Sequence, residues 1–216
     1  MEQSELIDEY ILKHIDEEGD YLSRLYRDTH LKLLRPRMAS GHLQGRLLKM
    51  LVRMIRPHNI LEIGTYSGYS GLCLAEGLEE GGRLYTFEIN DEQEDFTRPW
   101  FEGSAYADKI EFIIGDALQV LPSFCKERGL EFQMSFIDGD KRRYMDYYEM
   151  VLAHTSPGGY ILADNTLWDG HVVESPTPTD RQTVGIMSFN DFVAQDSRVE
   201  KVILPLRDGL TIIRKK

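Results

Sequence analysis

Between residues 59 and 163, short apolar runs of strand length alternate with segments of helical spacing. No other feature constrains the fold as tightly. A buried strand that returns to the same sheet through a helix must run parallel to its predecessor, so the pattern demands a parallel sheet with helices on both faces. The runs read as strands at 59–63, 83–89, 110–114, 132–137 and 159–163. The segments between them read as helices at 69–79, 91–104, 117–128 and 143–154. The chain ends differently. A helix at 186–195 precedes Val199–Leu206 and Leu210–Arg214, joined through Arg207-Asp208-Gly209. An Asp-Gly turn between two apolar runs reads as a hairpin. The expected fold is doubly wound α/β, with seven strands in a mostly parallel sheet and an antiparallel last strand.

Residues 4–35 read as helical, with Leu6, Ile7, Tyr10, Ile11 and Ile15 at helical spacing. Gly19 divides this stretch into two helices and Pro36 ends it. A third helix at 42–56 gathers Leu43, Leu47, Leu48, Leu51, Val52 and Ile55 into one apolar stripe, closed by Pro57. A length of 216 residues suits a single domain, with 1–57 as its N-terminal helical part and 58–216 as its core. Apolar residues at 42% and charged residues at 28% exclude a disordered chain. A net charge of −11 counts against non-specific nucleic-acid binding, while leaving room for a local basic patch. No apolar run approaches membrane-spanning length, and the acidic start lacks the features of a secretory signal, so the expected location is the cytoplasm. Cys73 and Cys125 sit in apolar helical contexts without C-x-x-C spacing, which points to buried free thiols.

In a doubly wound sheet, ligands bind beyond the carboxyl ends of the strands. The residues that carry chemistry concentrate there. The first strand runs into Glu62-Ile-Gly-Thr-Tyr-Ser-Gly-Tyr-Ser70. Its glycines permit a sharp turn and a close backbone approach to a ligand, although tight strand–helix packing explains such a loop equally well. The spacing G-x-x-x-G is not the fingerprint of dinucleotide binders. Glu88 ends the second strand, where a carboxylate can accept hydrogen bonds from both hydroxyls of a ribose or stand as a solvated charge. Asp116, in Gly115-Asp116-Ala117, can cap the next helix or meet an adenine amino group. Together, the three strand ends fit an adenosine ligand without a diphosphate, a description that suits S-adenosylmethionine.

The fourth strand ends in Phe136-Ile-Asp138-Gly-Asp140-Lys141-Arg-Arg-Tyr144, and the fifth in Leu162-Ala-Asp164-Asn165-Thr-Leu-Trp168. The carboxylates of Asp138 and Asp164 and the amide oxygen of Asn165 are expected to converge. Such hard oxygen donors suit Mg2+, Ca2+ or Mn2+ rather than zinc. Helix capping and a polar turn are the structural alternatives. A lysine near a divalent cation gives up its proton more readily, which makes Lys141 a candidate base. A cation also favours the oxyanion of a phenolic hydroxyl. That oxyanion can attack the sulfonium methyl in line, the protein supplying orientation and charge neutralisation.

At these residues the chain resembles the cation-dependent O-methyltransferases, a family that includes catechol O-methyltransferase, the plant caffeoyl-CoA O-methyltransferases and many bacterial relatives. Glu62-Ile-Gly-Thr-Tyr-Ser-Gly-Tyr-Ser resembles the family's first motif. Asp138-Gly-Asp-Lys-Arg-Arg-Tyr resembles its D-x-x-K-x-x-Y stretch and Asp164-Asn-Thr-Leu-Trp its D-N-x-L-W stretch. Leu204-Pro-Leu-Arg-Asp-Gly-Leu-Thr resembles its closing L-P-x-x-D-G segment. The resemblance implies a Rossmann-like class I methyltransferase fold with S-adenosylmethionine as cofactor. It implies Asp138, Asp164 and Asn165 as metal ligands and Lys141 as general base, with Asp138 also beside the cofactor. It further implies cofactor contacts at Met38, Glu62, Gly64, Tyr66, Ser70, Glu88, Asp116 and Ala117, and a homodimer.

The acceptor is less defined. Plant members carry T-S-A-D-E-G after the methionine, where this chain reads Ala39-Ser-Gly-His-Leu-Gln-Gly45, a departure that favours the bacterial branch. The expected substrate is a small molecule with a catechol-like or other acidic hydroxyl. One branch of the resembled family methylates 5-hydroxyuridine at the tRNA wobble position, which is the alternative. Residues 24–56 hold nine basic side chains and one acidic one, Asp28. They form either solvated helix faces or a basic rim for a polyanion such as RNA or coenzyme A. The loop 171–184 is expected to frame the substrate mouth, with Trp168 and His171 as candidate lining residues.

Overall fold

The protein is described here by a computed structural model covering residues 3–175 and 178–216. Three helices open the chain: α1 (Gln3–Leu12), α2 (Gly19–Lys32) and α3 (Gly41–Ile55). The alternating part follows as β1 (Asn59–Ile63), α4 (Tyr69–Gly77), β2 (Arg83–Glu88), α5 (Glu94–Glu102), β3 (Ile110–Ile114), α6 (Ala117–Arg128), β4 (Phe132–Ile137), α7 (Tyr144–His154) and β5 (Thr155–Asp164). The chain closes with α8 (Arg181–Gln195), β6 (Val199–Leu204) and β7 (Leu210–Lys215).

The seven strands form one sheet in the order β3-β2-β1-β4-β5-β7-β6. β1 to β5 pair in parallel, and β7 runs antiparallel to both β5 and β6. This is the expected mixed sheet with an antiparallel last strand. Residues that alternate along each strand feed two apolar cores, one on each face. Leu61, Phe132, Tyr144, Tyr148 and Phe189 pack on one side. Leu25, Leu48, Val52, Leu72, Phe136 and Leu162 pack on the other, where α2 and α3 cover α4. The N-terminal helices therefore complete one face of the sheet. Among the described residues, no helix is long and apolar enough to cross a membrane. Cys73 and Cys125 are free and buried, as expected. Burial pushes their thiols up to about 12 and about 11, so both behave as small apolar groups.

Local chemistry explains where the elements start. At α6 the Asp116 carboxylate accepts the Leu118 N–H at 3.1 Å, and Lys126 and Arg128 occupy the last turn, where the helix dipole favours cations. α8 begins at Arg181, five residues before the expected 186. Asp180 caps it by accepting the N–H groups of Gln182 and Thr183 at 3.1 and 3.0 Å. The apolar spacing from which the helix was read starts only after that polar first turn. β5 likewise begins at Thr155 rather than 159, because Pro157 and two glycines hide an extended segment that pairs irregularly with β4. The loop expected at 171–184 includes residues 176–177, which lie outside the described residues; it starts within Trp168–Val173, two short helical turns broken by a kink at Asp169 and Gly170, and its last residues open α8.

The contact between α3 and α4 depends on Gly77, where an added Cβ would sit 2.6 Å from Val52 Cβ and 2.8 Å from the Lys49 carbonyl oxygen. Gly77→Ala is expected to lower the unfolding free energy by about 1–3 kcal/mol, as overpacking of a filled core does. Chemical denaturation measures it, and an unchanged midpoint would contradict this packing.

Candidate active site

The strand order reverses at β1, which is flanked by β2 on one side and β4 on the other, and a cleft of about 810 Å3 opens beyond this switch point. The register brings the strand ends level. Ile63 pairs with both Phe87 and Ile137, and Ile137 pairs with Ala163. The next residues of each strand, Gly64, Glu88, Asp138 and Asp164, therefore leave the sheet side by side, and all four line the cleft. Gly64 has φ +98°, and an added Cβ there would lie 2.3 Å from the Asp138 carbonyl oxygen. Only glycine lets β1 turn this close to β4.

The remaining expected residues divide into two groups. Met38, Tyr66, Asp116, Ala117, Lys141 and Asn165 line the same cleft. Glu62 and Ser70 do not. Both are buried beneath the loop 64–68, where the Ser70 hydroxyl donates to Glu62 Oε1 at 2.6 Å and the Thr86 hydroxyl to Oε2 at 2.5 Å. They brace the loop from below, next to Gly64 and Tyr66 of the cleft. Burial pushes the Glu62 carboxyl up to about 7, with the charges of Asp138 and Glu88 adding to the effect and the two hydroxyls opposing it.

At the far wall, Glu88 accepts the Tyr66 N–H at 2.8 Å and the Asn90 N–H at 2.9 Å, one on each oxygen, so its carboxylate is fixed toward the cleft. Asp116 caps α6 and also pairs with Arg143 at 3.0 Å. At the near wall, Lys141 Nζ donates to Asp138 Oδ1 and to the Tyr144 hydroxyl, each at 2.7 Å. The Tyr144 hydroxyl donates in turn to the Asp164 carbonyl at 2.8 Å. Asp164 is 3% exposed. Its Oδ2 accepts the Gln44 side-chain amide at 2.7 Å and its Oδ1 the Asn165 N–H at 2.9 Å. Burial, with repulsion from Asp138, pushes its carboxyl up to about 6, and the Lys141 charge opposes the shift.

This donor set fits a hard divalent cation. Two carboxylates at neighbouring strand ends repel each other where water cannot screen them, and the amide oxygen of Asn165 supplies a third oxygen donor. Among the described residues, no three His, Cys, Asp or Glu side chains gather as a metal cluster, so a cation here would take the Asn165 amide as its third protein donor.

Further residues build the site without having been candidate site residues. Gln44, Arg207 and Asp208 approach Asp164 and Asn165 from sequence positions far away, and Tyr147 and Gln182 complete the walls. Trp168 lines the cleft as considered; His171 does not, and instead pairs with Glu174 at 2.6 Å near the surface. The basic stretch also splits. Arg46 and Lys49 pair with Glu76 and Arg56 with Glu79, away from the cleft, whereas Lys32, Arg35 and Arg37 stand on its rim.

Known proteins share this architecture. The sequence model of the O-methyltransferase family matches residues 13–216. Caffeoyl-CoA O-methyltransferase 5 from Nicotiana tabacum is 35% identical over 179 residues, covering 80% of this chain and 75% of that protein. The Pinus taeda caffeoyl-CoA enzyme is 36% identical, covering 80% and 69%. An O-methyltransferase from Bacillus cereus, solved in complex with SAH, superposes with a TM-score of 0.91 at 31% identity, covering 98% and 97% of the two chains. TomG from Streptomyces achromogenes, solved with SAM, superposes with a TM-score of 0.92 at 29% identity, covering 100% and 99%. The chain belongs to the O-methyltransferase family.

The state of Glu62 leaves a signature in stability. Its ordinary value is 4.5, and in the fold it is raised to about 7. The fold therefore favours the protonated acid, and this contribution is full below about pH 4.5 and is lost as pH rises through about 7. Glu62→Gln has no proton to lose. Relative to the parent, it is expected to gain about 3 kcal/mol in unfolding free energy between about pH 5 and about pH 8, at about 1.4 kcal/mol per tenfold change. Denaturant titrations at both pH values measure the gain. A pH-independent difference between the two proteins would contradict the burial of this acid.

Proposed function

We propose that the protein transfers the methyl group of S-adenosylmethionine to an acidic, catechol-like hydroxyl of a small molecule, with a divalent cation held by Asp138, Asp164 and Asn165. Mg2+ is the expected ion. The observation that carries the reading is the single cleft lined by Glu88 and Asp116 at one end and by Asp138, Lys141, Asp164 and Asn165 at the other. The first end suits a ribose and an adenine, and the second a cation with an ionisable hydroxyl beside it. The cofactor complexes of the Bacillus cereus and Streptomyces achromogenes relatives support the cofactor.

The chain's own residues then take distinct parts. Glu88, fixed by two backbone N–H groups, accepts the ribose hydroxyls. The Asp116 carboxylate meets the adenine amino group, and Ala117 and Tyr66 line the cleft on either side. Gly64 brings backbone close to the ligand, while Glu62 and Ser70 hold the turn beneath it. Met38 covers the cleft from the N-terminal segment. Asp138, between the two ends, faces both ligands. When bound, the cation supplies positive charge that favours the oxyanion of an acceptor hydroxyl. Lys141, positioned by Asp138 and the Tyr144 hydroxyl, receives the proton of the acceptor hydroxyl after releasing its own to solvent, and so acts as the neutral amine. The walls hold the acceptor in line with the methyl group and exclude water, so orientation supplies much of the rate.

A second reading rests on the rim. Arg35 and Arg37 are exposed at the cleft mouth, and among the described residues neither is paired with a carboxylate. This favours an acceptor with an anionic part, tRNA included. A homodimer is also proposed, supported by exposed Ile7, Tyr10, Met50 and Met54 on the N-terminal helices.

Purified protein given labelled S-adenosylmethionine is expected to methylate catechols in Mg2+, and excess EDTA is expected to abolish transfer. Full activity in EDTA would refute the cation. Transfer to tRNA lacking its wobble modification, with none to catechols, would replace the first reading by the second. Lys141→Ala is expected to lower turnover about 100-fold or more, the scale of general-base catalysis, while leaving cofactor affinity intact. Normal turnover with altered cofactor affinity would remove Lys141 from the base role.

A further inference from the structure

The loop 205–209, between β6 and β7, lies against the segment that carries two of the candidate cation donors. Leu167 N–H and Trp168 N–H donate to the Asp208 carbonyl at 2.7 and 3.2 Å, and Thr166 N–H to the Gly209 carbonyl at 3.1 Å. The side chains continue the contact. Asn165 Nδ2 reaches Asp208 Oδ2 at 3.4 Å, which assigns the amide nitrogen to the loop and leaves the amide oxygen as a free donor atom. Arg207 Nη1 donates to Gln44 Oε1 at 2.6 Å, and Gln44 Nε2 donates to Asp164 Oδ2 at 2.7 Å. Gln44 is 1% exposed, so both ends of its amide are committed away from water. The same guanidinium donates to the carbonyls of Ala39 and Ser40, just after Met38.

Arg207 does this from an unfavourable backbone conformation. Its φ is +49°, a region that L-residues other than glycine seldom occupy. Strain of this kind persists where surrounding contacts over-determine it, and it concentrates at functional sites.

We propose that Arg207 and Asp208 are positioning residues for the cation site, Arg207 setting the Asp164 carboxylate through Gln44 and Asp208 setting the Asn165 amide. The proposal rests on the cation reading given above. Groups that orient metal ligands act without touching the metal, and their loss weakens metal affinity by about 10–100-fold. The arrangement also ties the N-terminal segment to the site, because one guanidinium holds both the Gln44 amide and the 39–40 backbone.

The strain makes a clean test available. Glycine suits the backbone at position 207, so Arg207→Gly removes the guanidinium without disfavouring the loop. Mn2+ affinity of the full chain is measured by calorimetry, together with SAH affinity and the thermal midpoint. Arg207→Gly is expected to weaken Mn2+ binding about tenfold or more, with the midpoint held or raised and SAH affinity held. Arg207→Lys, which keeps one charged donor, is expected to fall between the two. Gln44→Leu cuts the same link from its other end and is expected to weaken Mn2+ binding at least as far. A parent that binds Mn2+ and an Arg207→Gly variant within about twofold of it would overturn the positioning role and leave the cation reading standing. A parent that binds no Mn2+ would overturn the cation reading and the positioning role with it.

Discussion

Two carboxylates stand at the ends of adjacent parallel strands in a place that water barely reaches. β4 and β5 are in register up to Ile137 and Ala163, so Asp138 and Asp164 emerge as neighbours by the geometry of the sheet. The burial of Asp164, with repulsion from Asp138 adding to it, pushes its carboxyl up to about 6. The surroundings answer with donors: Lys141 on Asp138, Gln44 and the Asn165 N–H on Asp164. These contacts reduce the electrostatic penalty without filling every lone pair, and that residual negative potential is what a divalent cation would meet.

The rest of the fold serves this corner. Parallel strands deliver their carboxyl ends together, and the reversal of strand order at β1 opens the cleft between them. Backbone strain is concentrated here as well. Tyr66, Asn165, Trp168 and Arg207 all have positive φ and all line the cleft. Gly185, on α8, lies where an added Cβ would be 2.5 Å from the Lys141 carbonyl, so the helix packs directly on the turn that carries the proposed base. The N-terminal helices contribute Gln44 from α3 and the rim residues that follow α2. They act as one wall of the site as well as a cover for the sheet.

Much of this was legible in the sequence because its cause is local. β1, β3, β4 and α6 begin and end where apolar spacing and capping residues place them. The strand-end acids Glu88, Asp116, Asp138 and Asp164 reach one cleft because a parallel sheet leaves them little choice. What stayed hidden depends on distant contacts. Gln44 lies 120 residues from Asp164, and its sequence neighbours mark only an amphipathic helix. Arg207 read as one residue of a hairpin turn, since no local pattern reveals that its side chain crosses to residues 39–44. The sequence marks Glu62 and Ser70 as cofactor contacts, but not that both are buried and joined by a hydrogen bond. The depth of a residue below a loop depends on how that loop packs, and motif spacing carries no record of it.

The central claim is that Asp138, Asp164 and Asn165 form one cation site. Crystals grown with Mn2+ and the methyl donor's demethylated product offer the most direct measurement, because anomalous scattering locates manganese without ambiguity. The account predicts one strong peak within coordination distance of oxygens from all three residues. A peak elsewhere, or none while Lys141 alone bridges the carboxylates, would contradict it.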